Sequence, residues 1–171
     1  VNVSVRQLDD SFVLRVQEIL NQSRLGEEHL ELEITESLLM DNIQENVRIL
    51  ESINRLGIRF AMDDFGTGYS SLSYLRQFPI SKLKIDRSFV NDITDDPDDE
   101  AIIRAIIAMG QTLKLKVIAE GVENHQQLIL LQTMGCDSYQ GYFFSKPLPK
   151  EEFYKKYIQP SIQLAEKNRQ L

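Results

Sequence analysis

Two adjacent carboxylates, Asp63 and Asp64, follow an apolar segment in the stretch FAMDDFGTGYSSL. Two like charges about 4 Å apart repel by ~1 kcal/mol in water and by several times that in a partly dry site. Something in the folded protein must compensate this repulsion, and bound cations would do so. Gly66 and Gly68 give the backbone freedom to turn after the pair. One carboxylate could then bridge two metal ions while the other holds one.

Comparable polar side chains occur near the end of every predicted strand. Hydrophobic periodicity predicts six strands, each followed by a helix: Val1–Val5, Leu30–Thr35, Ile58–Asp63, Leu83–Asp86, Val117–Glu120 and Ser138–Phe143. Their polar residues are, in chain order, Asn2, Glu33, Asp63 with Asp64, Lys84 with Asp86, Glu120, and Gln140. Strict alternation of strand and helix predicts neighbouring parallel strands in sequence order, with the helices packed outside.

The distribution of these polar residues favours a closed barrel over an open sheet. A (β/α)8 barrel builds its active site from the ends of many strands, whereas a doubly wound sheet binds ligands at one crevice. A full barrel has eight strands and usually about 250 residues. The 171 residues, which open with VNVSVRQL and no Met, are therefore expected to supply about six βα units, as the C-terminal two-thirds of one barrel domain.

The types of these side chains indicate metal chemistry. Oxygen-rich sets without Cys or a convincing His select hard cations such as Mg²⁺ or Mn²⁺. Several converging carboxylates suggest two cations, which is the usual apparatus for hydrolysing a phosphodiester. A net charge of −7 argues against long nucleic acid as a partner, but an anionic small ligand can bind through the cations.

The composition also restricts the compartment. The single cysteine, Cys136, excludes an internal disulfide and fits a reducing environment. No apolar run approaches the 18 residues that a membrane-spanning helix needs. We therefore expect a cytoplasmic protein whose 171 residues make no membrane contact.

Five motifs, in this order and spacing, resemble those of the EAL-domain phosphodiesterases that cleave the bacterial messenger cyclic di-GMP: LEITES, DDFGTGYSSL, KIDRSFV, IAEGVE and QGYFFSKP. The resemblance covers the entire chain. It implies a TIM-like (β/α)8 barrel, two divalent cations (Mg²⁺ or Mn²⁺) and hydrolysis of cyclic di-GMP to linear 5′-pGpG in second-messenger signalling. The Glu-Ala-Leu tripeptide that names the family does not occur in the sequence. The chain is therefore expected to lack the N-terminal third of the domain and to be inactive by itself.

The resemblance also implies roles for individual residues. The metal ligands it implies are Asn2, Glu33, Asp63, Asp64 and Glu120, with Asp63 as the bridge. The catalytic residues it implies are Lys84, which contacts the attacking water, Glu120 and Asp86. The residues expected to order the site are Glu36, which holds the DDFGTG loop, Gln140 and Glu123.

Other interpretations remain open at this point. Asp63 and Asp64 could lie in a strand-to-helix loop with one of them as an N-cap. Lys84 and Asp86 are expected on the same face of one strand, where they could form a purely structural charge pair. The domain could be a non-catalytic module that binds cyclic di-GMP or a protein, or a different two-metal phosphohydrolase. The family further implies attached sensory or regulatory domains and a homodimer formed through about Ser70–Phe78.

Overall fold

A parallel five-stranded sheet forms the centre of the computed structural model, which describes residues 1–40, 42–67 and 75–160. The strands are β1 (Glu31–Thr35), β2 (Arg59–Phe65), β3 (Ile80–Ile85), β4 (Lys116–Ala119) and β5 (Ser138–Tyr139). They lie side by side in sequence order, and every adjacent pair is parallel. The predicted order and direction are thereby confirmed for these five strands.

The first predicted strand, Val1–Val5, is much shorter than expected. A single parallel bridge joins Asn2 to Glu33, and a short 3-10 helix begins at Val5. The Val3 N–H donates to the Glu33 carbonyl at 2.8 Å, and the Glu33 N–H donates to the Val1 carbonyl at 2.8 Å. These two hydrogen bonds keep Asn2 beside β1. Asn2 therefore lies next to Glu33 as expected, although the predicted strand is reduced to one bridge.

The last predicted strand, Ser138–Phe143, contracts to the two residues of β5. The chain leaves the sheet at Gly141, where an added Cβ would lie 2.1 Å from the carbonyl oxygen of Val122. Only glycine allows two backbone segments to approach so closely. β5 ends at Tyr139, two residues before this close approach.

The helices alternate with the strands as predicted. Within the described ranges they are α1 (Asp10–Ser23), α2 (Glu36–Met40), α3 (Ile43–Asn54), α4 (Arg87–Asp92), α5 (Pro97–Leu113), α6 (His125–Thr133) and α7 (Lys150–Phe153), with shorter turns at Val5–Gln7, Glu27–His29 and Tyr154–Ile158. The helix predicted near Ser71–Gln77 lies mostly outside the described residues, as does the end of the one predicted for Glu151–Asn168. None of the described helices is long and apolar enough to cross a membrane.

Local sequence signals explain where three of the helices, α1, α5 and α6, begin. The Asp9 side chain accepts from the Phe12 N–H at the start of α1, and Asp96 accepts from the Asp98 N–H at the start of α5. At α6, Asn124 and Gln127 form a reciprocal capping box. Each cap satisfies backbone donors that have no partner inside the helix.

The apolar core lies on one face of the sheet, against the helices. Phe60 and Met62 of β2 are completely buried, as are Leu83 and Ile85 of β3. Because successive side chains of a strand point to opposite faces, the residues between them face the other side of the sheet. Glu33 and Lys84, two of the side chains predicted to do chemistry, lie on that second face.

Candidate active site

Lys84 lies at the centre of a cluster of carboxylates contributed by separate strands. Its Nζ is 2.7 Å from Glu120 Oε1, 2.8 Å from Asp63 Oδ1 and 3.1 Å from Glu33 Oε2. The lysine side chain is only 8% exposed. Glu33 and Asp63 thus contact the same ammonium group, so the prediction that the strand-end residues converge is confirmed. We call Lys84, Glu33, Asp63 and Glu120 the lysine–carboxylate cluster.

The strand pattern explains why these four side chains meet. Glu33 alternates with the buried Leu32 and Ile34 on β1, and Lys84 alternates with Leu83 and Ile85 on β3. The apolar residues pack towards the helices, and the polar ones face the opposite side. The chain order of the parallel strands then places β2, which carries Asp63, between β1 and β3.

The cluster carries more negative than positive charge. Burial opposes the charged form of Lys84, but the hydrogen bonds with Asp63, Glu120 and Glu33 outweigh it and raise the pKa of the ammonium above its ordinary value. Burial raises the pKa of Glu120, and Lys84 partly offsets this. Among the described residues, one ammonium group faces three carboxylates, so the cluster carries excess negative charge when these carboxylates are ionised.

The pair Asp63–Asp64 forms a bulge within β2. The pairing with β3 shifts register between Met62 and Phe65, and Asp64 adopts a left-handed backbone with φ of 53°. β2 continues through the pair to Phe65, two residues beyond the predicted end at Asp63. The bulge redirects the side chain of one aspartate relative to that of the other, which is what a turn at the pair was expected to do.

Asp64 is directed towards Asp86. The two carboxyls lie close enough to influence each other's ionisation. Burial, the charge of Asp63 and the proximity of Asp86 together raise the pKa of Asp64. Gly66 has φ of +100°, which confirms that the backbone needs a glycine directly after the bulge; Gly68 lies outside the described residues.

Asp86 does not form the charge pair with Lys84 that the strand pattern suggested. β3 ends at Ile85, and Asp86 is the N-cap of α4, where its side chain accepts from the Ser88 N–H at 2.9 Å. Burial opposes ionisation of Asp86, but the Ser88 hydrogen bonds lower the pKa of this carboxyl. The structural-pair interpretation is therefore wrong for Lys84, whose partners come from other strands.

Glu36 begins α2 and is buried, with only 3% of the residue exposed. Its Oε2 accepts a long hydrogen bond of 3.4 Å from the Gly66 N–H. Its Oε1 is buried and has no hydrogen-bond partner among the described residues. The contact with Gly66 agrees with the predicted role in holding the DDFGTG loop.

Gln140 contacts the cluster and Glu123 does not. The Gln140 amide donates to Glu120 Oε1 at 2.7 Å. Glu123 donates its backbone N–H to Gln127 at 2.8 Å, and within the described part of the chain its carboxylate forms no ion pair. Both residues line a cleft of about 670 Å³ that also exposes Glu120, Arg87, Tyr142 and Phe144.

Sequence reasoning missed a second ion pair on the same face of the sheet. Lys82 Nζ lies 2.8 Å from Glu31 Oε1. Each of these residues stands two positions before a residue of the cluster, Lys84 and Glu33. The repeats LELE and KLK contain the signal, because period-two spacing places both members of each repeat on one face.

The oxygen atoms of the site suit a hard divalent cation, although three of them contact the Lys84 ammonium in this structure. The carboxylates of the cluster and the nearby Asn2 and Asp64 offer only oxygen, as Mg²⁺ and Mn²⁺ prefer. In the described ranges, no three His, Cys, Asp or Glu side chains are arranged ready to hold a metal ion. The ammonium of Lys84 lies between the oxygens of Glu33, Asp63 and Glu120. The residues therefore fit a cation in chemistry, provided that Lys84 gives up some of its contacts.

Known structures confirm the fold class. The Pseudomonas aeruginosa MucR phosphodiesterase, solved in complex with cyclic di-GMP, superposes with a TM-score of 0.86 at 44% identity, over 89% of this chain and 62% of that one. Klebsiella pneumoniae BlrP1, solved with manganese and cyclic di-GMP, gives a TM-score of 0.79 at 30% identity, over 86% and 38%. The strand and helix arrangement is thus the TIM-barrel-like fold of solved EAL domains.

The family follows from the sequence match. The EAL domain model matches residues 1–147, and the chain belongs to the EAL domain family. It is 51% identical over 150 residues to the cyclic di-GMP phosphodiesterase NbdA of Pseudomonas aeruginosa, covering 86% of this chain and 19% of that protein. The chain spans about a fifth of the length of the curated relatives it matches.

Proposed function

We propose that the domain containing this chain hydrolyses cyclic di-GMP to linear 5′-pGpG, with two divalent cations, Mg²⁺ or Mn²⁺. The observation that carries the proposal is the meeting of Glu33, Asp63 and Glu120 around Lys84 at the strand ends. Support comes from relatives such as NbdA, which is named as a cyclic di-GMP phosphodiesterase. It also comes from solved neighbours that contain cyclic di-GMP, in one case with manganese.

The oxygen donors on this face would hold the cations. The proposed ligands are Asn2, Glu33, Asp63, Asp64 and Glu120, with Asp63 as the bridge. Bound cations would stabilise the charge that develops on the phosphate and increase the acidity of a water molecule.

Lys84 orients the attacking water and stabilises negative charge near the phosphate. Its raised pKa keeps it charged at neutral pH, so it cannot accept the proton of the water. Among the neighbouring groups, Glu120 and Asp86 are the candidate proton acceptors. Gln140 fixes the Glu120 carboxylate through its 2.7 Å hydrogen bond, and Glu36 fixes the backbone that follows the Asp63–Asp64 bulge.

The cleft beside the cluster has the character of a nucleotide site. Arg87 supplies positive charge, Tyr142 and Phe144 supply aromatic faces, and Glu120 connects the cleft to the lysine–carboxylate cluster. Bases stack on aromatic side chains, and arginine attracts phosphate. Glu123 lies in the same cleft, and its proposed role is to order the ligand at this wall.

Two partners and the compartment remain proposals. The chain covers only a small part of the length of its relatives, which agrees with attached sensory or regulatory domains. The segment proposed for homodimerisation, about Ser70–Phe78, lies mostly outside the described residues. We retain the cytoplasm as the expected compartment, because cyclic di-GMP signalling is implied for the family.

A second candidate is a non-catalytic module that binds cyclic di-GMP without cleaving it. One observation favours it: Lys84 occupies the space between the carboxylates, and the described residues contain no preformed metal cluster. In such a module the lysine would keep all three contacts when the nucleotide binds. The proposed enzyme instead requires that a cation displaces it from at least one carboxylate.

Product analysis separates the two candidates. Purified full-length protein carrying this sequence is incubated with cyclic di-GMP and Mg²⁺, Mn²⁺ or EDTA, and the nucleotides are separated by chromatography. We expect pGpG with either metal and none with EDTA. Glu100→Gln removes a carboxylate from the exposed side of α5, outside the cluster. As a control variant, it should form pGpG as the wild type does. Tight binding of unchanged cyclic di-GMP in every metal would establish the non-catalytic module.

A further inference from the structure

Two lysine–glutamate pairs lie one behind the other on the polar face of the sheet. Glu31 and Glu33 share a face of β1, and Lys82 and Lys84 share a face of β3. Glu33 contacts Lys84 at 3.1 Å, and Glu31 contacts Lys82 at 2.8 Å. The Glu31 and Lys82 side chains are 28% and 29% exposed. Both pairs therefore reach across β2, which separates the two strands.

The ion-pair partners are not the residues that the strand register places side by side. Ala61 of β2 pairs with Glu33 on one side and with Lys82 on the other. Lys82 is thus level with Glu33, two strands or about 10 Å away, and not level with Glu31. Its ammonium nevertheless contacts Glu31, while Glu33 contacts Lys84. Each ion pair is displaced diagonally from the register.

The residue between them leaves room for an exchange of partners. Ala61 is completely buried and carries only a Cβ, so no side chain of β2 separates Lys82 from Glu33. Lysine has a flexible stem of four carbons and a compact charge. The lysine–carboxylate cluster carries excess negative charge, which attracts any cationic side chain within reach.

We propose that Glu31 is a positioning residue that holds Lys82 away from Glu33 and so keeps Glu33 available to a divalent cation. The inference rests on the proposed function, because it assumes that Glu33 binds a cation. Without the Glu31 carboxylate, Lys82 turns to Glu33 and adds a second ammonium to the site. A cation then has to displace two lysines instead of one.

The test is a cycle of variants read out by Mn²⁺ affinity, which does not depend on turnover. Full-length protein is titrated with Mn²⁺ in electron paramagnetic resonance, as wild type, Glu31→Gln, Lys82→Gln and the double variant. Asp63→Ala identifies the signal that belongs to this site. We expect Glu31→Gln to weaken binding roughly tenfold, the lower end for residues that act behind metal ligands. The double variant should return to within about twofold of wild type, because the competing ammonium is gone.

The controls separate positioning from simple stabilisation. Glu100→Gln removes the same charge from the Arg104 pair on α5 and should leave Mn²⁺ affinity unchanged. If Glu31→Gln does not fold, Lys82→Gln still tests the proposal, since a Mn²⁺ affinity below that of wild type would contradict it. Unchanged Mn²⁺ affinity in Glu31→Gln would overturn this inference and leave the proposed function standing. A double variant that binds Mn²⁺ as weakly as Glu31→Gln would have the same consequence. A wild type without an Asp63-dependent Mn²⁺ signal would overturn the proposed metal site as well.

Discussion

Two lysines at opposite ends of the sheet are paired with carboxylates in different ways. Lys116 begins β4 and is 73% exposed, and its Nζ lies 2.6 Å from Asp137 Oδ1. The other oxygen of Asp137 accepts from the Val117 N–H at 2.9 Å. One ammonium meets one carboxylate, and both oxygens of that carboxylate are used.

Lys84, near the carboxyl end of β3, has a different environment. It is 8% exposed and contacts three carboxylates, with Asp64 and Asp86 close by. The charge at this end of the sheet is unbalanced, whereas that of the Lys116–Asp137 pair is balanced. The charges of a balanced pair cancel, whereas an excess of buried carboxylate favours the binding of a cation or of a proton. We therefore propose that the Lys84 site is functional and that the Lys116–Asp137 pair is structural.

Among the variants that test this contrast, Asp63→Ala should lower the activity most. If Asp63 bridges two cations, its loss disturbs both, and formation of pGpG by the full-length protein should fall by about a thousandfold or more. Near-normal hydrolysis of cyclic di-GMP with Mg²⁺ by this variant would remove Asp63 from the bridging position.

Asp64→Asn should be severe but milder. Its side chain is directed towards Asp86, and it is the proposed ligand of one cation instead of two. We expect turnover to fall while more Mn²⁺ remains bound than in Asp63→Ala, as measured by parallel titrations of the two variants. Equal loss of Mn²⁺ in both would show that the two aspartates share the bridging role.

Lys84→Ala should lower kcat by about a hundredfold, within the range for a side chain that assists proton transfer, with a much smaller change in KM. The reason is that Lys84 is proposed to act on the attacking water, not on the bound nucleotide. Steady-state kinetics at saturating metal give both constants. A change confined to KM would reassign Lys84 to phosphate binding.

Asp137→Asn should have the smallest effect, and on stability alone. The exposed ion pair contributes little, but asparagine offers one acceptor oxygen to the two donors, Lys116 and the Val117 N–H. One donor therefore loses its partner, and we expect a loss of about 1 kcal/mol. The Lys116 hydrogen bond, followed by that of Val117, lowers the pKa of Asp137 below its ordinary value of 3.8. This contribution is therefore complete above that value and disappears as the pH falls through the lower pKa of the folded state.

Denaturant unfolding at pH 7 and at acidic pH would test this dependence, with kcat measured alongside. The two proteins should differ at pH 7 and converge in acid, and their kcat values should agree. A large drop in kcat for Asp137→Asn would mean that the balanced pair also serves the site, and the contrast between the two ends would fail.

The sequence predicts the face and the order of the functional side chains better than their partners. Alternation in LELE and KLK is enough to place Glu33 and Lys84 on the polar face. It cannot show that Lys84 reaches Asp63 and Glu120 on other strands instead of Asp86. That choice depends on where β3 ends, and Asp86 lies one residue beyond, as the cap of α4.

Three further features depend on the backbone in three dimensions. The left-handed conformation of Asp64 is uncommon for a residue other than glycine, so no pattern predicts the bulge. The early end of β5 depends on the contact of Gly141 with Val122. The Glu31–Lys82 pair crosses a strand: the spacing in LELE and KLK gives its face, but the register alone would place Lys82 beside Glu33, so its partner is known only from the side-chain contact.

Manganese anomalous scattering from a crystal of the full-length protein with cyclic di-GMP tests the central claim most directly. Our account predicts two anomalous peaks at the lysine–carboxylate cluster, both within coordination distance of Asp63, with Lys84 released from at least one of its three carboxylates. If cyclic di-GMP occupies the cleft without any manganese peak there, and Lys84 still contacts Glu33, Asp63 and Glu120, the cluster neutralises itself and the proposed metal-dependent hydrolysis is wrong.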